Sequence, residues 1–172
     1  MTVIIDLTPV RDGTGPARLL DMVEGRSKAC SAPGSTSSPR CSGTGSEVVA
    51  MDGFTGFKTA AAEALPDAVE VMDPFHVVQL AGDALDRCRQ RVQQDTLGHR
   101  GHAGDPLYGV RRALHTGQGF RTDRQRARID AVFHVDDHLE VETTWAVYQR
   151  ILAAYRDEDR HRGKHELRAV ID

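Results

Sequence analysis

The sequence predicts an α/β fold: a small unit of strands and helices followed by a region of helices alone. Short β-branched or apolar runs end on turn signals at residues 2–7, 47–51 and 69–72. Helix-forming sequence follows the last two runs, as in strand–helix alternation. Beyond about residue 97 only helical periodicity remains.

The elements follow in chain order. Residues 2–7 (TVIIDL) form a strand, and Thr8 to Pro16 a turn rich in Pro and Gly. Residues 18–24 (RLLDMVE) suit strand or helix, and a hairpin across the turn favours strand. Residues 29–46 (ACSAPGSTSSPRCSGTGS) carry no large apolar side chain and no period. Such a segment cannot bury enough surface to offset its ordering entropy. It reads equally as a linker or as a local reading-frame shift. Residues 47–51 form the next strand, 56–65 an alanine-rich helix ended by Pro66, and 69–72 another strand.

Pro74 suits the first turn of a long helix to about Gln94. Val78, Ala81, Leu85, Cys88 and Val92 make its apolar stripe, with Arg87, Arg89, Gln90 and Arg91 on the opposite face. A Gly/His loop (96–105) precedes a short helix over 106–115. Thr122-Asp123-Arg124-Gln125 has the capping-box pattern and opens a helix to about Phe133. The helix over 138–155 carries Trp145, Tyr148, Leu152 and Tyr155 on one stripe. A charged turn over 156–162 and a short final helix from Glu166 complete the order.

Composition narrows the class. The chain has 172 residues, enough for a modest core. A net charge of −3 argues against a protein coated in nucleic acid, though it leaves room for a local basic face. No apolar run approaches membrane-spanning length and no export signal is evident, so a cytoplasmic protein without a membrane partner is expected. Cys30, Cys41 and Cys88 form no CxxC pair and read as reduced thiols.

Two segments carry chemistry. VVAMDG delivers Asp52 to the end of a strand, where α/β folds place ligands. Its oxygens suit Mg²⁺ or Mn²⁺, and the plainer reading is a turn or N-cap residue. VEVMDPFH places Asp73 and His76 at a strand-to-helix junction, where they suit a cation, a phosphate or simple capping. Asp6 reads as a solvent-facing strand residue. His99 and His102 lack acidic or cysteine companions, against a zinc site. Arginines 87, 89, 91, 111, 112, 121, 124, 126 and 128 cluster in the helical part, and they fit either phosphate contacts or a solvated face.

Together these residues resemble a known family. The stretch VVAMDGFTGFKTAAAEALPDAVEVMDPFHVVQLAGDALDRCR resembles the core of bacterial insertion-sequence DDE transposases of the L-three family, and TVIIDLTPVRDGTGPARLLDMVEGRS resembles two earlier strands of the same domain. The resemblance implies an RNase-H-like core in which two aspartates and a glutamate hold two divalent metals, Mg²⁺ or Mn²⁺, for attack on DNA phosphodiesters. Asp52 matches the second catalytic aspartate and metal ligand. Asp73 and His76 match a supporting Asp-x-x-His signature. The implied partners are DNA at transposon ends and a transposase oligomer, with Arg87, Arg91, Arg111 and Arg112 as DNA-contact candidates.

The matching first aspartate is expected before Met1 and the glutamate beyond Asp172. Residues 29–46 stand where the family has an amphipathic helix, which favours the frame-shift reading. The expected organisation is a partial RNase-H-like core over 1–96 and a helical insertion or extension over 97–172. The expected function is that of a transposase fragment, inactive alone. Two alternatives are a non-catalytic regulator that binds full-length transposase or its DNA, and a small metal-dependent hydrolase. The hydrolase requires Asp6, Asp52, Asp73 and His76 to converge on one ion.

Overall fold

A computed structural model describes residues 2–23, 47–53 and 55–171. The fold is mixed α/β and dominated by helices. It divides into two compact units, Met1–His76 and Val77–Asp172. The linker or frame-shift segment over 29–46, with Cys30 and Cys41, lies outside the described residues.

The first unit contains two small sheets. Strands β1 (Thr2–Asp6) and β2 (Arg18–Val23) pair antiparallel, as the hairpin reading expects, with a register irregularity between Ile4 and Ile5. The Pro/Gly turn between them holds one feature that was not expected, a single helical turn α1 (Thr8–Arg11). Pro9 near its start has no N–H to leave unpaired. Asp6 accepts the Thr8 N–H at 2.8 Å. Strands β3 (Val48–Met51) and β4 (Val69–Met72) pair in parallel, joined through helix α2 (Thr55–Ala64). A parallel pair needs a crossover connection of this kind. Among the residues of this unit whose side chains are described, only Pro9 is buried.

Helix α3 (Pro74–Leu97) begins in the first unit and runs on into the second. The second unit continues with α4 (Pro106–Leu114), α5 (Asp123–Phe133), α6 (Leu139–Arg156) and α7 (Arg160–Ile171). Its core gathers Leu85, Val92, Leu107, Leu114, Ile129, Val141 and Tyr148, among others. Val78, Ala81 and Cys88 of the expected α3 stripe pack against it. Thr122 and Gln125 make the expected capping box at the start of α5.

Three expectations change. Arg89 is buried instead of lying on a solvated face, because it donates to the buried Gln93 at 2.7 Å and pairs with Asp86 at 3.2 Å. Tyr155 is exposed, and the inner stripe of α6 is instead extended N-terminally by Val141. The final helix starts at Arg160, since the Asp159 carboxylate accepts the His161 N–H at 2.8 Å and caps it.

The end of α4 shows how polar groups are satisfied inside this core. The last carbonyls of a helix lack intrahelical partners. Here α6 supplies them: Trp145 Nε1 donates to the Leu114 carbonyl at 3.1 Å, Gln149 Nε2 to those of Leu114 and Thr116 at 3.2 Å each, and the Tyr148 hydroxyl to that of His115 at 3.3 Å. The aromatic stripe read from the sequence is therefore both core and cap.

Candidate functional site

The parallel register decides where the acidic residues fall. Met51 pairs with Met72, so Asp52 and Asp73 are the first residues beyond the paired ends of their strands. The Asp73 N–H donates to the Met51 carbonyl at 2.7 Å and carries the ladder to that point. Both residues are half-buried.

Asp73 then turns the chain into α3. Its Oδ1 accepts the Phe75 N–H at 3.2 Å, which is the capping role the plainer reading gave it. His76, in the first turn of α3, is half-buried and lies against Gly53. A Cβ built on Gly53 would stand 2.6 Å from His76 Nε2 and 3.1 Å from its Cδ2. The Asp-Gly pair and the Asp-x-x-His pair thus meet in space. Their separation in sequence gave no periodic signal from which this contact could be read.

Asp6 is not part of a common ligand set with these residues. Hydrogen bonds from the Thr8 hydroxyl and N–H hold its carboxyl below the usual carboxylate range. Among the described residues, no group of three His, Cys, Asp or Glu side chains could hold a metal ion. The convergence that the hydrolase alternative requires is therefore missing. Asp52, Asp73 and His76 do not by themselves fit a two-metal centre.

The other residues singled out in the sequence divide by environment. His99 and His102 stack with ring centroids 4.0 Å apart, and His99 Nδ1 lies 3.6 Å from Asp105. Arg87 and Arg112 are exposed. Arg91 is exposed and paired with Glu140. The Arg111 guanidinium lies 3.8 Å from the Tyr108 ring centroid and donates to the Tyr108 carbonyl at 2.8 Å. Arg121 is buried 4.6 Å from the Trp145 ring centroid, which removes it from any surface role. Its burial lowers the guanidinium pKa from the usual arginine range. Cys88 is a free, half-buried thiol. No described helix is long and apolar enough to cross a membrane.

Fold and site together define a mixed α/β protein whose parallel strands end on acidic residues, one of them linked to an imidazole by a single helical turn. The family model described as "Transposase", that of the ISL3-type DDE enzymes, matches residues 1–172, and the chain belongs to this transposase family. No curated protein and no solved structure matches it.

Proposed function

We propose that this chain is part of a DDE-type DNA transposition system in which Asp52 serves as one of three metal-holding carboxylates. The observation that carries the reading is the family match over the whole length. Asp52, in its predicted position just past the end of β3, agrees with it. Divalent metals, Mg²⁺ or Mn²⁺, belong to the chemistry of this family. On this reading β1 to β4 are part of an RNase-H-like core, Asp73 and His76 support the Asp52 end of the sheet, and DNA is the partner. Arg87 and Arg112 are the more open of the four arginines proposed for DNA contact, since Arg91 faces Glu140 and Arg111 folds onto Tyr108.

The described residues contribute one carboxylate of the three, so no catalysis is assigned to this chain alone. It is expected to leave supercoiled DNA intact in Mn²⁺. Metal-dependent nicking that disappears in Asp52→Asn would overturn the assignment of inactivity. A second reading is a non-catalytic regulator that binds an intact transposase or its DNA. The helical unit has a packed apolar core of its own, which supports a binding role. Co-purification with a full-length transposase of the same family separates the two.

A further inference from the structure

We infer that His76 is a positioning residue for Asp52, acting through Gly53, so that the two acidic motifs form one device. The inference rests on the role proposed for Asp52.

Three contacts build it in sequence. The Asp73 N–H to Met51 carbonyl bond fixes the level at which the chain leaves β3. The Asp73 carboxylate caps the first turn of α3 and so sets where His76 starts. The His76 ring then fills the space beside Gly53, with Nε2, Cδ2 and Cε1 at 2.6, 3.1 and 3.7 Å from where a Cβ would sit.

Glycine can serve at such a position for two reasons, backbone freedom or lack of a side chain. Backbone freedom does not apply: among the described residues the glycines with positive φ are Gly13, Gly98, Gly101 and Gly104, and Gly53 is not one of them. What Gly53 contributes is space, and the imidazole occupies it. Asp52 therefore sits between Met51, which the ladder fixes, and Gly53, which lies against the His76 ring. Groups that hold a ligand from outside the coordination sphere commonly change metal affinity by about 10- to 100-fold when removed.

The test uses the full chain, labelled for NMR, with Gly53→Ala, His76→Ala, the double variant and Gly15→Ala. A Cβ at Gly15 would meet nothing within 4 Å, which makes it the control. Without metal, Gly53→Ala is expected to shift the His76 ring protons and the Asp52 amide, Gly15→Ala to shift neither, and the Asp52 response to shrink when His76 is already alanine. An unmoved His76 ring, or an Asp52 shift equal in both backgrounds, overturns the inference. Should Gly53→Ala fail to fold, His76→Ala alone decides, through the Asp52 amide.

Trace Mn²⁺ separates this inference from the reading beneath it. Broadening at Asp52 and Gly53 that vanishes in Asp52→Asn supports the ligand role of Asp52. His76→Ala is then expected to raise the Mn²⁺ concentration needed by about tenfold, and no change overturns the positioning role. No broadening in the parent chain is what one carboxylate of three predicts, and the metal-free shifts then decide alone whether His76 holds the loop.

Discussion

In Val77–Asp172, Leu85, Leu107, Leu114 and Val141 are at most 2% exposed. In Met1–His76 the same kinds of side chain stand open: Val3, Ile5, Leu19, Met22, Val48 and Val69 are all exposed. The two units are therefore held together by different means. The helical unit rests on packed apolar volume and on side chains that cap its helix ends. Among the described residues, the strand unit rests on backbone ladders, the turns capped by Asp6 and Asp73, and the exposed Arg11–Glu47 pair at 3.0 Å. The residues matched to chemistry lie in the unit that, among the described residues, buries fewer apolar side chains. Regions with few buried apolar contacts open locally at low free energy, so the described part of the strand unit, with the Asp52 end of its sheet, is expected to open more readily than the helical core.

The sharpest way to break this comparison is a matched pair of truncations. Leu85→Ala removes a side chain with no exposure and is expected to cost about 2–5 kcal/mol. Ile4→Ala, at a half-buried strand position, is expected to cost no more than half as much. Urea unfolding followed by circular dichroism measures both. Equal losses would mean that the strand unit has a core as effective as the helical one.

A second pair concerns glycines and has a smaller expected effect. Gly101 has φ +123°, and a Cβ there would stand 2.9 Å from the Gln93 amide and from Tyr108 Cδ2. Gly101→Ala is expected to destabilise by about 1–3 kcal/mol. Gly15→Ala in the strand unit meets open space and is expected to change stability by less than about 1 kcal/mol, in the stabilising direction. Thermal melts of the two variants give the answer, and a larger loss at Gly15 would reverse the contrast.

The smallest effect is electrostatic. The hydrogen bond from Arg162 holds the Asp157 carboxyl below its ordinary value, with Nη2 to Oδ1 at 2.7 Å. A carboxyl lowered on folding stabilises the fold above its unfolded pKa, near 4. That contribution is lost as pH falls through the lower folded value. Asp157→Asn is therefore expected to flatten the acid limb of the stability curve below about pH 4. An acid limb as steep as that of the parent chain would assign the loss to other carboxylates, Asp6 among them.

The helical unit was largely legible in the sequence because its signals are local. The α3 stripe repeats every three or four residues, and Thr122 with Gln125 announces the start of α5. Asp159 before Arg160 is a capping signal of the same kind, overlooked because the surrounding charges read as a turn. Arg89 was misplaced for a different reason. Helical phase alone puts it among polar neighbours, and the buried Gln93 one turn on, with Asp86 one turn back, makes its burial tolerable. In the strand unit the strands were legible and the single turn α1 was not, since Pro9 marks a turn and a helix start equally well. Asp52, Asp73 and His76 could be named from motif and resemblance. The imidazole against Gly53 could not, because it depends on the parallel register, which no local pattern encodes.

The loop over 98–105 has a consequence for sequence change. Gly98, Gly101 and Gly104 recur every third residue with φ of 76°, 123° and 110°. Between them His99 and His102 come into stack, and Asp105 accepts the His102 N–H. The segment is thus written in triplets of mirror-image steps, and its meaning depends on phase. Point changes at Arg100 or Ala103 leave that phase intact. One inserted or deleted residue would put a side chain where each later glycine stands and pull Asp105 away from Gln93. Relatives with this loop should therefore differ in its letters far more readily than in its length.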